Sequence, residues 1–266
     1  MRFALNHITA PAMPVAEFFA MATRLGIREV EIRNDLPDVV GRIAARDLHA
    51  MAEDRGIAIL SINALYPFNL WSPELGERAA RLADYAAEAG IGALVMCPLN
   101  EDRAVSHSQN VEALDNLRPI LAARGIRGLV EPLGFPRSSL RRKDEAIAAI
   151  TEAGGFGAFA LLHDTFHHHL SDEAVLYPHR TGLVHISGVI DPDLPLAKIE
   201  DEHRQLLDGR DILGNIDQIR ALLADGYDGP FSFEPFSPLT HAIPNIEAAL
   251  RASMGYVQRA LARDAS

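Results

Sequence analysis

EAGIGALVMC, residues 88–97, joins the end of an alanine-rich stretch to a glycine, a short apolar run and the polar Cys97. Gly90 suits a helix C-cap, where the backbone turns left-handed at no Cβ cost. The run behind it is near-continuously apolar, as expected of a parallel strand covered on both faces. The same grammar recurs in RLGIREVEIR (24–33), DRGIAILSIN (54–63), ARGIRGLVEP (123–132), AGGFGAFALLHD (153–164), RTGLVHISG (180–188) and ADGYDGPFSFE (224–234). With RFALN near the start, this makes eight strands. Between them lie stretches with apolar residues three and four apart, such as PVAEFFAMATRL (14–25), ELGERAARLADYAAEA (74–89) and NIDQIRALLA (215–224), the spacing of amphipathic helices. Eight strand–helix units in about 260 residues predict one (β/α)8 TIM barrel spanning 1–266 as a single domain. A doubly wound sheet is the alternative, but no glycine-rich phosphate fingerprint follows the first strand.

The composition narrows the partners. Of 266 residues, 48% are hydrophobic, enough for a large core, and the formal net charge is −11. Such a charge repels polyanions, so no nucleic acid is expected as a partner. The densest basic stretch, PRSSLRRKDE (136–145), reads as the solvated start of a helix. No apolar run approaches the roughly 20 residues of a membrane span. A single cysteine, Cys97, and an N-terminus without a signal-type apolar stretch make a cytoplasmic setting the expectation.

In such barrels the active site forms at the C-terminal strand ends and the loops that follow. The first four ends carry Asn6 and His7, Glu31 and Arg33, Asn63, and Cys97; the last four carry Glu131, Asp164, His185 and Glu234. Strand 8 neighbours strand 1, so the last four form one arc of the mouth. Three carboxylates and an imidazole converging on one point repel each other unless a cation joins them. One strand-end Glu alone is as often a salt-bridge partner as a ligand, but four in consecutive equivalent positions indicate a shared divalent ion. The oxygen-rich set favours Mn²⁺ or Mg²⁺, and the imidazole keeps Zn²⁺ or Co²⁺ in play. In LLHDTFHHHL (161–170), His167 is expected on a loop reaching into the mouth. His163 is expected to face away as packing, and His168 and His169 to sit on the rim. Asn6, Asn63, Tyr66 and Phe68 are candidates to line a substrate pocket, with plain packing the alternative for the two aromatics.

At these residues the sequence resembles the xylose-isomerase-like superfamily of sugar isomerases and epimerases, and within it the bacterial 2-keto-myo-inositol (inosose) isomerases. FALNHIT, EVEIRNDLP and LSINALYPFN resemble the first three strands of that family, and VEPLGFPRSSL, LLHDTFHHH, LVHISG and FSFEPFSP its metal-site motifs. The resemblance covers essentially the whole chain and implies metal ligation by Glu131, Asp164, His185 and Glu234. It implies Glu131 and Glu234 as the acid–base pair. It also implies substrate contacts from His167 and from Arg204 in EDEHRQLLDGRD (200–211). Two departures stand out. Ketohexose epimerases carry a glutamate six residues after the one matching Glu131, where this chain has Arg137. Their strand-7 loop often has a Gly-x-Gly turn, where this chain has Gly209-Arg210-Asp211.

The resulting expectation is a metal-dependent isomerase moving a ketone to an adjacent carbon through an enediolate, with 2-keto-myo-inositol as substrate. An inosose dehydratase and an epimerase of another ketose are the rivals within this chemistry. A trinuclear zinc endonuclease is disfavoured by the charge and by too few histidines, and a non-catalytic sugar binder by retention of all four ligands. The proline-bearing segments YPFNLWSP (66–73) and DPDLPLAK (191–198) are candidates for a lid or for an interface in a homo-oligomer.

Overall fold

The computed structural model describes residues 1–37 and 39–263. Eight strands, β1 Arg2–Asn6, β2 Glu29–Arg33, β3 Ala58–Leu65, β4 Ala93–Met96, β5 Arg127–Val130, β6 Phe159–Asp164, β7 Thr181–Ile186 and β8 Pro230–Phe233, form a closed barrel in sequence order. Every pairing is parallel, and β8 closes onto β1. Among the described residues nine α-helices accompany them, two of them after β8: α1 Val15–Arg24, α2 Ala45–Glu53, α3 Pro73–Glu88, α4 His107–Ala122, α5 Lys143–Glu152, α6 Thr165–Ser171, α7 Asn215–Ala224, α8 Pro238–His241 and α9 Ile246–Ala262. This is the expected (β/α)8 TIM barrel. Among the described residues no helix is long and apolar enough to cross a membrane.

Local chemistry sets these elements. β4, β6 and β8 are buried at every position, as strands with a helix layer outside and a filled interior must be. α3 starts at Ser72, whose side chain accepts from Leu75 N, with Pro73 in its first turn. It then turns Leu75, Ala79, Leu82, Ala83 and Ala86 inward. Six of the seven glycine units end a helix with positive φ, as at Gly56 (60°) after α2 and Gly226 (88°) after α7. Gly182 is the exception and corrects the C-cap expectation. It lies inside β7, where an added Cβ would sit 2.9 Å from Leu129 Cδ2 and 3.0 Å from Ala160 Cβ.

Strand alternation stacks the interior in layers. Val95, Leu129, Leu162 and Leu183 belong to an apolar cluster in the barrel interior. Two residues further along the same strands come Cys97, Glu131, Asp164 and His185. Asp164 is the register partner of His185, and His185 that of Ser232. Glu31 lies beside Ser61 and Asn6. The result is a polar layer resting on an apolar plug at the C-terminal end of the barrel.

The segment after β5 runs against α6. An added Cβ at Gly134 would collide with the carbonyl oxygen of His167 and approach Leu170 Cβ to 2.8 Å. Gly134→Ala should therefore lower stability by about 1–3 kcal/mol, the usual cost of overpacking, read as a lower urea midpoint. An unchanged midpoint would show that the two segments are not in this contact.

Candidate metal centre and substrate cavity

Glu131, Asp164, His185 and Glu234 are all buried, and one ligand atom from each lies within 4.8 Å of the others. Neighbouring strands deliver them, so the clustering follows from barrel closure. His185 Nδ1 sits 3.0 Å from Glu234 Oε2 and 3.5 Å from Glu131 Oε1. It makes no hydrogen bond to either. Its other ring nitrogen, Nε2, lies 3.0 and 3.1 Å from the two oxygens of Glu31. Glu31 in turn accepts from Ser61 Oγ at 2.7 Å and Ser232 Oγ at 2.5 Å. A carboxylate held this way accepts from Nε2–H of His185, so that Nδ1 is turned to the other carboxylates and can offer its lone pair to an ion that displaces its proton. Three carboxylate oxygens and one unpaired imidazole nitrogen fit a divalent ion.

The electrostatics support that fit. Burial pushes the Asp164 carboxyl up to about 7, with Arg204 opposing and Glu131 and Glu234 adding to the rise; a divalent cation would reverse this. Burial alone would lower the His185 pKa, but Glu234 and Glu31 outweigh it and raise it well above the ordinary value. Burial would raise Glu31 and Glu234, yet both are held below the usual carboxylate range, chiefly by His185.

Glu234 and Glu131 have unequal surroundings. Glu234 accepts from Asn6 Nδ2 (3.0 Å), Asn63 Nδ2 (3.3 Å), Arg33 Nη1 (3.2 Å) and Arg204 Nη2 (2.9 Å). Among the described residues, Glu131 accepts a hydrogen bond only from the Cys97 thiol, at 3.2 Å. That thiol is raised well above its ordinary pKa by burial and by Glu131, so it stays protonated. Arg204 also donates to Asp164 Oδ2 at 2.6 Å and to Ser187 Oγ at 3.0 Å. Its guanidinium stacks between the rings of Phe166 and Phe236.

A cavity of about 410 Å³ opens above this group, within the usual size range of small-molecule sites. Asn63, Glu131, His167, Arg204 and Glu234 line it, as do Tyr66, Arg33 and Cys97. Asn6, expected to contact substrate, instead lies fully buried outside the lining, where it holds Glu234 and accepts from Ile8 N. Phe68 is fully buried packing. His167 lies in helix α6, not on a loop, because Asp164 Oδ1 caps that helix by accepting from Phe166 N at 2.8 Å. Burial and Arg204 keep His167 neutral, its pKa well below ordinary. His163 faces outward to Gln218 Oε1 at 3.0 Å, as expected. His168 is no rim residue: it is half-buried, and its Nδ1 lies 2.7 Å from Lys143 Nζ, which also pairs with Glu173. His169 is likewise half-buried. Glu31 and Arg33, read from the sequence only as strand ends, prove integral to the site.

Glu31→Gln should weaken divalent-ion binding about 10- to 100-fold, the usual cost of losing such an outer partner. Calorimetric titration with Mn²⁺ or Zn²⁺ checks this, and unchanged affinity would remove Glu31 from the centre. A second expectation concerns acid stability. His168 is brought from 6.5 to about 3, by burial and then by Lys143. The unfolded chain therefore takes up this proton first, and stability falls as pH drops from about 6.5 toward 3. His168→Gln should flatten that decline in urea midpoints measured across the window; an identical decline would mean that His168 does not contribute.

The model for the xylose isomerase-like TIM barrel family matches residues 19–260. A xylose isomerase domain containing protein from Salmonella typhimurium LT2 is 37% identical, with a TM-score of 0.91 over 98% of this chain and 97% of that one. The IOLI protein, solved with a binding zinc atom, is 19% identical with a TM-score of 0.86, covering 99% of both chains. D-psicose 3-epimerase from Clostridium cellulolyticum H10, solved with D-tagatose, is 15% identical with a TM-score of 0.76, covering 98% of this chain and 99% of that one. The last two likenesses are of fold. No curated protein matches the chain in sequence. A closed eight-stranded barrel, the family model across nearly its full length and a 37% identical relative agree: the chain belongs to the xylose isomerase-like TIM barrel family.

Proposed function

We propose that this protein is a metal-dependent isomerase of keto-sugars or ring polyols, moving a ketone to an adjacent carbon, with 2-keto-myo-inositol as substrate. The observation that carries this reading is the pair Glu131 and Glu234 beside the unpaired ring nitrogen of His185, Nδ1, on a cavity lined by polar groups. Glu131, Asp164, His185 and Glu234 would hold the ion. When bound, it supplies Lewis-acid polarisation of a substrate carbonyl. The motif resemblance and the position of Arg137 favour the inosose branch. Arg137 forms a bidentate pair with Glu200 at 2.6–2.7 Å, which engages the carboxylate there, so that it is not free to receive a ketohexose end.

The side chains divide the proton transfer. Glu234, fixed by four donors, is held ionised and serves as the base on one face of the substrate. Glu131, met by the Cys97 thiol and by His185 Nδ1 at 3.5 Å, has the freer oxygens and passes a proton on the other face. Arg204 and Arg33 place positive charge beside the carbon that becomes an enediolate, so the developing negative charge meets fixed donors. His167, neutral and edge-on to Phe135 and Phe166, is positioned to hydrogen-bond a substrate oxygen. The Phe166 and Phe236 rings shield Arg204 from water.

Proton NMR in D₂O with 2-keto-myo-inositol tests the reaction, with the metal removed before detection. A shifted ketone with deuterium at the vacated carbon is expected. A dehydrated diketone would assign a lyase, inverted configuration at the carbon beside an unmoved ketone an epimerase, and no exchange would overturn the inosose assignment. Glu234→Gln should lose turnover about 10²–10⁴-fold while keeping the fold, the usual contribution of a general base. Substantial residual turnover would take Glu234 out of the reaction. His167→Ala should raise KM while metal affinity stays, and loss of the metal there would make His167 a ligand.

A further inference from the structure

Eight buried side-chain nitrogen or oxygen atoms lack a hydrogen-bond partner among the described residues. Four of them, Asn34 Oδ1, Arg78 Nε, Asn100 Oδ1 and His167 Nδ1, belong to residues lining the same cavity. Native folds pair nearly all such atoms, so their concentration around one cavity points to the polar groups of a ligand. Three of the four lie away from the metal quartet. Asn34 follows β2, Arg78 is in α3 behind β3, and Asn100 follows β4, whereas the quartet stands on β5 to β8.

This wall is built, not incidental. Arg78 Nη2 donates to the Tyr66 carbonyl at 2.7 Å, and Asn100 N donates to the Tyr66 hydroxyl at 3.2 Å. Tyr66, itself in the cavity lining, thereby ties the two together. Asn34 Nδ2 donates to the Ala64 carbonyl at 3.1 Å, which settles that its free atom is the oxygen. Arg78 makes no ion pair among the described residues, although its neighbour Arg81 lies 3.7 Å from Glu77. The other two cavity arginines are neutralised, Arg33 by Asp35 and Glu234, and Arg204 by Asp164, Asp201 and Glu234.

We propose that Asn34, Arg78 and Asn100 form a second subsite that binds the hydroxyl groups of a ring polyol on the side away from the reacting carbons. The free atoms are two acceptors and one donor, shut off from solvent in this structure, so a ligand meets them once the side chains turn toward the cavity they line. A hydroxyl donates and accepts at once, so adjacent hydroxyls satisfy amide oxygens and a guanidinium together. A carboxylate or phosphate only accepts, and it would satisfy Arg78 while facing the two amide oxygens as a repelled anion. The subsite therefore selects a neutral polyhydroxyl compound, and within it one whose hydroxyls continue around the ring opposite the ketone. This rests on the reading of the cavity as a polyol-ketone site and adds how the far end of that substrate is recognised.

The test is calorimetric titration of the metal-loaded protein with three probes: myo-inositol, cyclohexane-1,2-diol, which keeps only one hydroxyl pair, and glucuronate, a polyol carboxylate. The unaltered protein should bind myo-inositol at least 10-fold more tightly than the diol. Arg78→Ala and Asn100→Ala should each lose roughly 10- to 100-fold in myo-inositol affinity, the range for a hydrogen bond to a charged or buried group. Metal affinity should be the same in both variants, showing that the quartet is intact. No preference for myo-inositol over the diol, or a preference surviving in both variants, would overturn the subsite. Glucuronate binding more tightly than myo-inositol, with the gain lost in Arg78→Ala, would also overturn it, since Arg78 would then read an anion. Failure of the isomerase reading shows separately, as polyol binding without deuterium exchange into the ketone.

Discussion

The constraint on which the rest depends is the burial of three carboxylates around one imidazole. Removing such charges from water costs several kcal/mol apiece, even after relaxation. The surrounding structure answers that cost group by group. Arg204 offsets Asp164 and Glu234, Arg33 offsets Glu234, and Glu31 fixes His185 from behind. Asn6 and Asn63 supply neutral donors to Glu234, where further charge would be excessive. Three strands, β1, β2 and β3, and the long loop after β7 contribute these partners, so the site exists only once the barrel has closed.

The loop after β7 shows how firmly one of these partners is held. Gly188 and Gln205 exchange backbone hydrogen bonds of 2.8 and 2.7 Å, which close the segment between them into a compact excursion. The Arg204 carbonyl accepts from Ser237 N at 2.7 Å, which ties it to the segment after β8. Asp211 accepts from the backbone of Val189, Leu213 and Asn215 and so ties the end of this loop to its start. At Gly209-Arg210-Asp211 the aspartate is thus anchored to the backbone, and Arg210 pairs with Asp208 in the open. Across the mouth the Arg137–Glu200 pair clasps the β5 loop to the same excursion, with Arg137 stacked on Phe135.

Barrel and quartet were legible because both repeat: the glycine-then-apolar unit marks each strand, and the ligands occupy equivalent places in successive units. What repeats only in three dimensions was not legible. Glu31 stands in VEIR like any strand-end charge, and its partner His185 is 154 residues away. Only the register of a closed barrel brings the two together. Arg78 sits in ELGERAARL, where an arginine on a helix reads as a solvated face, and nothing local reveals that it borders a cavity. α6 has seven residues, three of them histidines. That is too short for a helical period to show, so its start was visible only as the capping aspartate that also serves the quartet. Asn6 was assigned to the pocket because it ends β1. The same strand end, one residue deeper in the barrel, makes it a support for Glu234.

The two ends of the cavity have different energetic tasks. At the quartet, groups are aimed at charge that develops only during reaction, and interactions made there lower the barrier itself. On the β2 to β4 side, Asn34, Arg78 and Asn100 would meet hydroxyls that do not change during reaction, so their contribution is equal in ground and transition states. Such uniform binding is useful when it fixes orientation: a ring with many similar hydroxyls can enter in several poses, and only one sets the ketone and its neighbouring carbon between Glu131 and Glu234. A rigid far wall turns those poses into unequal ones, and proximity then acts on the productive pose alone. On this view the arginine that looks least catalytic decides which carbon the glutamates reach.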